Sequence, residues 1–306
     1  MGFGAGGFSR AGLARGVDHT AAIIAEALDA GVTLIDTAEA YRTEPGVALG
    51  IERSSVRRED VVISTKVLFR TQDGWRTPAE IETAVQARLE TLGTDYLDIV
   101  HIHGVRPQDY ERVRDGSLPG LQRCVDAGTV RSIGITEAFR VDLRHETLVR
   151  AIADGVWDVI MVGFNLLNQS ARETVLQPAI AADIGVMDMF AVRQALRDMD
   201  VLTEHLREKA ADGTLPDTVD VDTELGRIAA HVSASGSSLP DLAYRFVREE
   251  PGISSVLVGT GNPDHLRANL RTFTRRPLAP AVLEDLSSVL AGVAALNGET
   301  GGLPPS

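Results

Sequence analysis

Short β-branched runs alternate along the chain with longer stretches of helical period, the signature of parallel strands joined by crossover helices. GVTLID (31–36), DVVISTK (60–66), YLDIVHIH (96–103), TVRSIGIT (129–136), WDVIMVGFN (157–165), IGVMDMF (184–190) and ISSVLVG (253–259) read as strands, and MGFGAGG at the start as the remnant of one more. Helical periodicity is expected over 20–30, 78–92, 119–127, 145–154, 171–182 and 239–249. Pro78 suits a first helical position and Gly93 a helix stop. Eight βα units in about 260 residues have the proportions of a TIM barrel, an α/β fold of type (β/α)8. A doubly wound open sheet would use the same alternation, but no strand here is followed by a credible dinucleotide-binding turn.

Two regions interrupt the repeat. Residues 193–237 read as an insertion between the seventh strand and its helix, with helices at 199–211 and 223–233. On a barrel they are expected over the C-terminal face, as a substrate lid or as plain decoration. After Leu296 the segment NGETGGLPPS is rich in Gly and Pro, so 297–306 is expected to be a flexible tail behind one domain spanning 1–296.

Composition narrows the partners. Acidic residues outnumber basic ones 43 to 30, for a formal charge of −13, which repels phosphate backbones and anionic membranes. No basic stripe offsets it, so no nucleic-acid partner is expected. The longest apolar runs are broken by charges such as Asp183 and Asp188, so no membrane span is expected, and the first residues lack the apolar core of a secretory signal. A cytoplasmic protein is the expectation. Cys124 is the only cysteine, which excludes an internal disulfide and a cysteine-rich zinc site. Oligomeric state is not legible.

Two motifs are decoys. Gly2, Gly4 and Gly7 satisfy G-x-G-x-x-G, but only Met1 precedes them, so the strand that the phosphate loop needs is missing. His101 and His103 share one face of a strand end and could begin a metal-dependent hydrolase site. The remaining histidines, however, fall in helices or loops and not at other strand ends, so no metal is expected and His101 reads as a packed interior residue.

The chemistry gathers at three consecutive strand ends, which carry Asp36, Lys66 and His103, with Tyr41 five residues beyond Asp36. A structural ion pair would account for Lys and Asp alone. All four on the C-terminal face of a barrel point to catalysis. A neighbouring ammonium stabilises a phenolate and so tunes a tyrosine, whose ordinary pKa is about 10, as a proton donor. A carboxylate keeps the lysine charged, and an imidazole hydrogen-bonds a substrate oxygen. This arrangement suits Tyr41 protonating a carbonyl oxygen while a cofactor delivers hydride.

Several blocks resemble the aldo-keto reductase superfamily over most of the chain: GVTLIDTAEAY (31–41), VVISTK (61–66), LGTDYLDIVHIHG (92–104), VRSIGIT (130–136), FNLLN (164–168) and ISSVLVGTGNPDHLRANL (253–270). The resemblance implies a TIM barrel that interconverts a small-molecule carbonyl and an alcohol with NADP(H), with the tetrad Asp36, Tyr41, Lys66 and His103. It selects His103 over His101 because His103 lies five residues after Asp98. It also implies that the adenosine phosphate of the cofactor binds at the last block, through Gly259, Thr260, Gly261, Asn262, His265 and Asn269. Asn262 is a good N-cap there and Pro263 a good first residue, so a helix N-terminus would face the phosphate.

Departures from the family pattern cluster at the cofactor. His265 stands where many relatives carry arginine for the 2′-phosphate, which leaves NAD(H) open as well. Thr136 and Glu137 replace a Ser-Asn pair, and Met161 replaces a glutamine that would hydrogen-bond the carboxamide. Phe190 is expected to stack on the nicotinamide, in a register uncertain by one. Phe69, Trp75 and the 193–237 segment are expected to shape the substrate pocket. The leading expectation is an NAD(P)H-dependent carbonyl reductase or alcohol dehydrogenase. The alternatives are an aldo-keto-reductase-like barrel with weakened or lost redox activity and, from another class, the metal-dependent hydrolase.

Overall fold

The computed structural model describes residues 1–6 and 15–300. Gly7 of the glycine motif and residues 301–306 of the expected tail lie outside the described residues. The elements follow in chain order: β1 (Gly2–Gly4), α1 (Val17–Asp29), β2 (Leu34–Asp36), α2 (Glu44–Arg53), β3 (Val62–Val67), a small hairpin of β4 (Arg70–Thr71) and β5 (Gly74–Trp75), α3 (Pro78–Leu92), β6 (Leu97–Val105), α4 (Tyr110–Gly116), α5 (Leu118–Asp126), β7 (Val130–Glu137), α6 (Glu146–Asp154), β8 (Val159–Gly163), α7 (Gln177–Ala181), β9 (Gly185–Met189), α8 (Met199–Ala211), α9 (Val221–Ser235), α10 (Leu239–Arg248), β10 (Ser255–Val258), α11 (Pro263–Thr274) and α12 (Pro280–Ser288). Eight strands close into a parallel barrel in the order β1-β10-β9-β8-β7-β6-β3-β2. The fold is the (β/α)8 TIM barrel.

Strand alternation divides the residues cleanly. Ile35 pairs with Ile63, and Ile102 with Ile135, Ile160 and Val186 in turn. These residues are fully buried and pack outward against the helices. The other face points into the barrel, where Asp36 pairs with Ser64, Lys66 with His101, and Thr136 with Met161 and Met187. The branched aliphatic residues thus hold the barrel to its helices, and the interior mixes the polar side chains with methionines. Gly134, opposite His101, leaves the room that imidazole needs, because a Cβ there would lie 2.2 Å from His101 Nδ1.

Helix ends follow their sequence signals. Thr77 and Glu80 form a capping box at the start of α3, and Gly93 ends it in the left-handed conformation. The helix expected over 171–182 opens instead as a π-turn at Arg172–Leu176 before α7. Pro178 has no N–H for the regular ladder, and the wider turn takes up that break.

The segment 193–237 carries the two expected helices, as α8 and α9. The short turn at 194–196 packs against α8 and α10, and α9 packs against α8, α10 and α12. The start of the tail is also held down, because Ala195 N–H donates to the Gly298 carbonyl at 2.9 Å and Thr300 N–H to Gln194 Oε1 at 2.8 Å. No helix among the described residues is long and apolar enough to cross a membrane.

Candidate active site

Three parallel strands deliver the reactive side chains to the C-terminal mouth. Lys66 Nζ lies 2.6 Å from Asp36 Oδ2 and donates to the Thr37 carbonyl at 2.8 Å. Ser64 Oγ donates to the other Asp36 oxygen at 2.8 Å. Asp36 and Lys66 are only 3% and 1% exposed, so the pair survives desolvation through direct contact and these extra hydrogen bonds. Burial would lower the lysine pKa, but Asp36 and Tyr41 outweigh it, and Lys66 stands above its usual value. Burial raises the Asp36 carboxyl, opposed by Lys66 and Ser64.

Tyr41 ends a short 3-10 turn, Glu39–Tyr41, above β2. Lys66 Nζ lies 4.9 Å from its ring centroid, and the His103 ring meets it edge-on with centroids 5.4 Å apart. Burial raises the phenol pKa above 10, with Lys66 pulling it back. In the cofactor-free protein Tyr41 therefore holds its proton at neutral pH. The ammonium acts in the expected direction, and burial acts against it. Burial also pushes His103 down to about 3, reinforced by Lys66, so it is a neutral imidazole. The Tyr41 turn is pinned by Glu39, a residue that motif reading passed over. Glu39 accepts from both terminal nitrogens of Arg76, at 2.8 and 2.7 Å, and from Leu68 N–H at 2.9 Å. An acidic residue two positions before Tyr41 was the available signal.

His101 lies two residues deeper along β6 on the same face, fully buried, and neither ring nitrogen has a partner among the described residues. No group of three or more metal-ligating side chains occurs among the described residues.

The expected cofactor residues divide into two sets. At the nucleotide end, Asn262 caps α11 by accepting from Asp264 N–H at 2.9 Å, and Thr260 Oγ1 accepts from Asn262 N–H at 3.1 Å. Gly261 presents its carbonyl to Arg15, at 3.1 Å, and to His19 Nε2, at 2.7 Å. Gly259 and His265 are exposed, and Asn269 is half-buried. A helix N-terminus with its first N–H groups near an exposed turn suits a phosphate.

The nicotinamide end fits less well. Thr136 and Met161 do face the interior, but the Thr136 hydroxyl already accepts from Gly104 N–H at 2.7 Å. Glu137 turns away from the mouth. Its carboxylate lies 2.9 Å from His145 Nδ1 and accepts from Gly163 N–H at 2.8 Å, all of it buried, so it is not free to hold a carboxamide. Alternation puts Met189, not Phe190, on the inner face. Phe190 leaves β9 at φ 77° with its ring stacked near Phe139 and under the Arg193 guanidinium. Phe69 and Trp75 lie together at the small hairpin, ring centroids 5.1 Å apart.

The C-terminal mouth of the closed parallel barrel thus gathers a buried carboxylate–ammonium pair, a phenol and a neutral imidazole. The chain is a member of the aldo/keto reductase family, whose profile matches residues 1–291. Aldo-keto reductases use nicotinamide cofactors for carbonyl reduction. The chain is 26% identical over 279 residues to L-galactose dehydrogenase of Arabidopsis thaliana, covering 90% of this chain and 84% of that one. It is 26% identical over 301 residues to D-threo-aldose 1-dehydrogenase of a Pseudomonas species, covering 88% and 87%. An aldo-keto reductase from Bacillus halodurans, solved in its holo form, superposes with a TM-score of 0.69 at 21% identity, over 94% of this chain and 91% of that chain.

Proposed function

We propose that this chain interconverts an aldehyde or ketone and its alcohol with NADP(H) or NAD(H), using Tyr41 as the proton donor to the carbonyl oxygen. The observation that carries this reading is the Asp36–Lys66 pair, 2.6 Å apart and buried, with Lys66 against the face of Tyr41. When bound, the nicotinamide supplies or accepts the hydride. Tyr41 holds the proton that the oxygen takes up, and Lys66 stabilises the phenolate left behind. Asp36 keeps Lys66 charged and aimed. Neutral His103 offers a ring N–H to the same oxygen.

Two measurements test the reading. Quenching or enhancement of NADPH and NADH fluorescence reads binding and preference. Loss of nicotinamide absorbance with a panel of aldehydes and ketones reads turnover. Binding without turnover of any panel member would favour a second reading, a barrel with weakened redox activity. That reading has its own support, since Met161 donates no hydrogen bond and Glu137 is committed to His145. His103→Ala is expected to lower kcat/KM for carbonyl reduction about 10²-fold, the usual cost of one lost donor to a developing oxyanion. His101→Ala is expected to act mainly on the melting temperature, through the cavity it leaves. A larger kinetic loss in His101→Ala would reverse the assignment.

A further inference from the structure

The turn that carries Tyr41 has little backbone to hold it. It spans Glu39–Tyr41, bonds Tyr41 N–H to the Ala38 carbonyl at 3.0 Å, and is left through Arg42 in the left-handed conformation at φ 57°. The Thr37 and Thr43 hydroxyls tie its two ends together at 3.1 Å. Its middle is held through Glu39, whose carboxylate meets the Arg76 guanidinium fork to fork at 2.7 and 2.8 Å. Arg76 directly follows Trp75 of the β4–β5 hairpin. Its Nη1 also donates to the Leu68 carbonyl at 2.9 Å, and its backbone N–H to the Phe69 carbonyl at 2.9 Å. The Arg112 guanidinium lies 4.1 Å over the Trp75 ring and braces the hairpin from α4. Arg88 of α3 stands behind the bridge, 3.8 Å from Glu39 Oε1 and 3.0 Å from Glu44 Oε2. The Glu39 and Arg76 side chains are only 19% and 16% exposed, so solvent screens their contact weakly.

We infer that the Arg76–Glu39 bridge is a latch that seats Tyr41, so that the position of the proton donor depends on the hairpin carrying Phe69 and Trp75. Both are positioning residues, and their kinetic effect rests on the proposed role of Tyr41. A bidentate guanidinium–carboxylate contact fixes direction as well as distance, which the single bond from Leu68 N–H does not. The phenol needs both, because a misplacement of about 1 Å costs a reaction about 10²-fold. Burial would raise the Glu39 carboxyl, but Arg76, the Leu68 N–H and Arg88 outweigh it and hold the group below its usual value. The bridge is therefore charged at neutral pH. Around the phenol stand Lys66 of β3, Asp36 of β2 and the neutral His103 of β6. With the latch broken, the turn is free to lift the ring from these neighbours and let water reach it.

Glu39→Gln, Arg76→Gln, their combination and Arg76→Lys, each in the full chain, test the latch, with melting curves to establish that they fold. The first readout needs no turnover. Burial is the largest influence on the Tyr41 phenol and Lys66 the next, so in both Gln variants its phenolate absorbance should develop at lower pH than in wild type, toward 10. The signal is taken as the difference from the matching protein that also carries Tyr41→Phe. The second readout is kinetic. Each Gln variant should lose about 10–10²-fold in kcat for the best carbonyl of the panel, with NADPH affinity within about twofold of wild type. The combination should lose no more than the worse single variant, because the same contact is broken only once. Arg76→Lys keeps the charge but not the fork, and should fall between wild type and Arg76→Gln. An unchanged phenol titration in folded Glu39→Gln and Arg76→Gln overturns the latch, whatever the enzyme's activity. Losses in kcat that multiply in the combination overturn it too. A wild type that turns over no carbonyl would remove the redox reading, and the titration would still decide the latch.

Discussion

Tyr41→Phe is expected to lower kcat for carbonyl reduction by about 10²–10⁴-fold while dinucleotide affinity stays nearly unchanged. The factor is that of a positioned general acid, and the hydroxyl serves the transition state, not the bound nucleotide. The ring itself remains, so the contacts with His103 and with the Lys66 ammonium persist and the fold should not suffer. The titration of the phenol gives an independent check. Because burial raises its pKa above 10, the phenolate absorbance that disappears in Tyr41→Phe should develop only above pH 10 in the cofactor-free wild type. Reductase activity within a few-fold of wild type would remove Tyr41 from the proton-transfer role.

The barrel was legible because its outward strand positions are filled by Ile and Val and its helices carry explicit punctuation, as at Thr77, Pro78 and Gly93. α2 was not legible. Gly46 and Gly50 count against a helix by propensity, yet they are what lets α2 approach α1. A Cβ at Gly46 would lie 2.6 Å from Thr20 Cβ, and one at Gly50 2.6 Å from Ile24 Cβ. The two-residue strands β4 and β5 are too short to show a period.

At the site, the spacing that links Asp36 to Tyr41 and the ends of β3 and β6 was enough to collect the four side chains that the fold brings together. Glu137 shows what spacing cannot reach. Its position by resemblance is a carboxamide contact, but its carboxylate is fixed by His145, which stands in a left-handed conformation (φ 61°) just before α6. That contact depends on how the β7–α6 loop returns, and no local pattern encodes it.

Lys66→Met is expected to remove activity and much of the stability together, and the two losses are separable. Deleting the ammonium leaves Asp36 buried with Ser64 as its side-chain partner. Breaking such a pair costs about 3–5 kcal/mol, a large share of the roughly 5–15 kcal/mol that holds a typical domain. The pH dependence follows from the direction of the Asp36 shift. Its folded pKa already lies above the unfolded value of 3.8 because of burial, and loss of Lys66 raises it further. Between those two values the native state binds more protons than the unfolded chain, so stability falls as pH rises and recovers as pH is lowered. The deficit of Lys66→Met relative to wild type should therefore shrink on titration from neutral toward pH 4, measured by urea denaturation. Adding Asp36→Asn removes the stranded charge while keeping an acceptor for Ser64, so the double variant should regain most of the lost stability at neutral pH. It should not regain carbonyl turnover, because no cation remains to stabilise the Tyr41 phenolate. A double variant that recovers both would make the pair a structural bridge and leave Tyr41 to act without it.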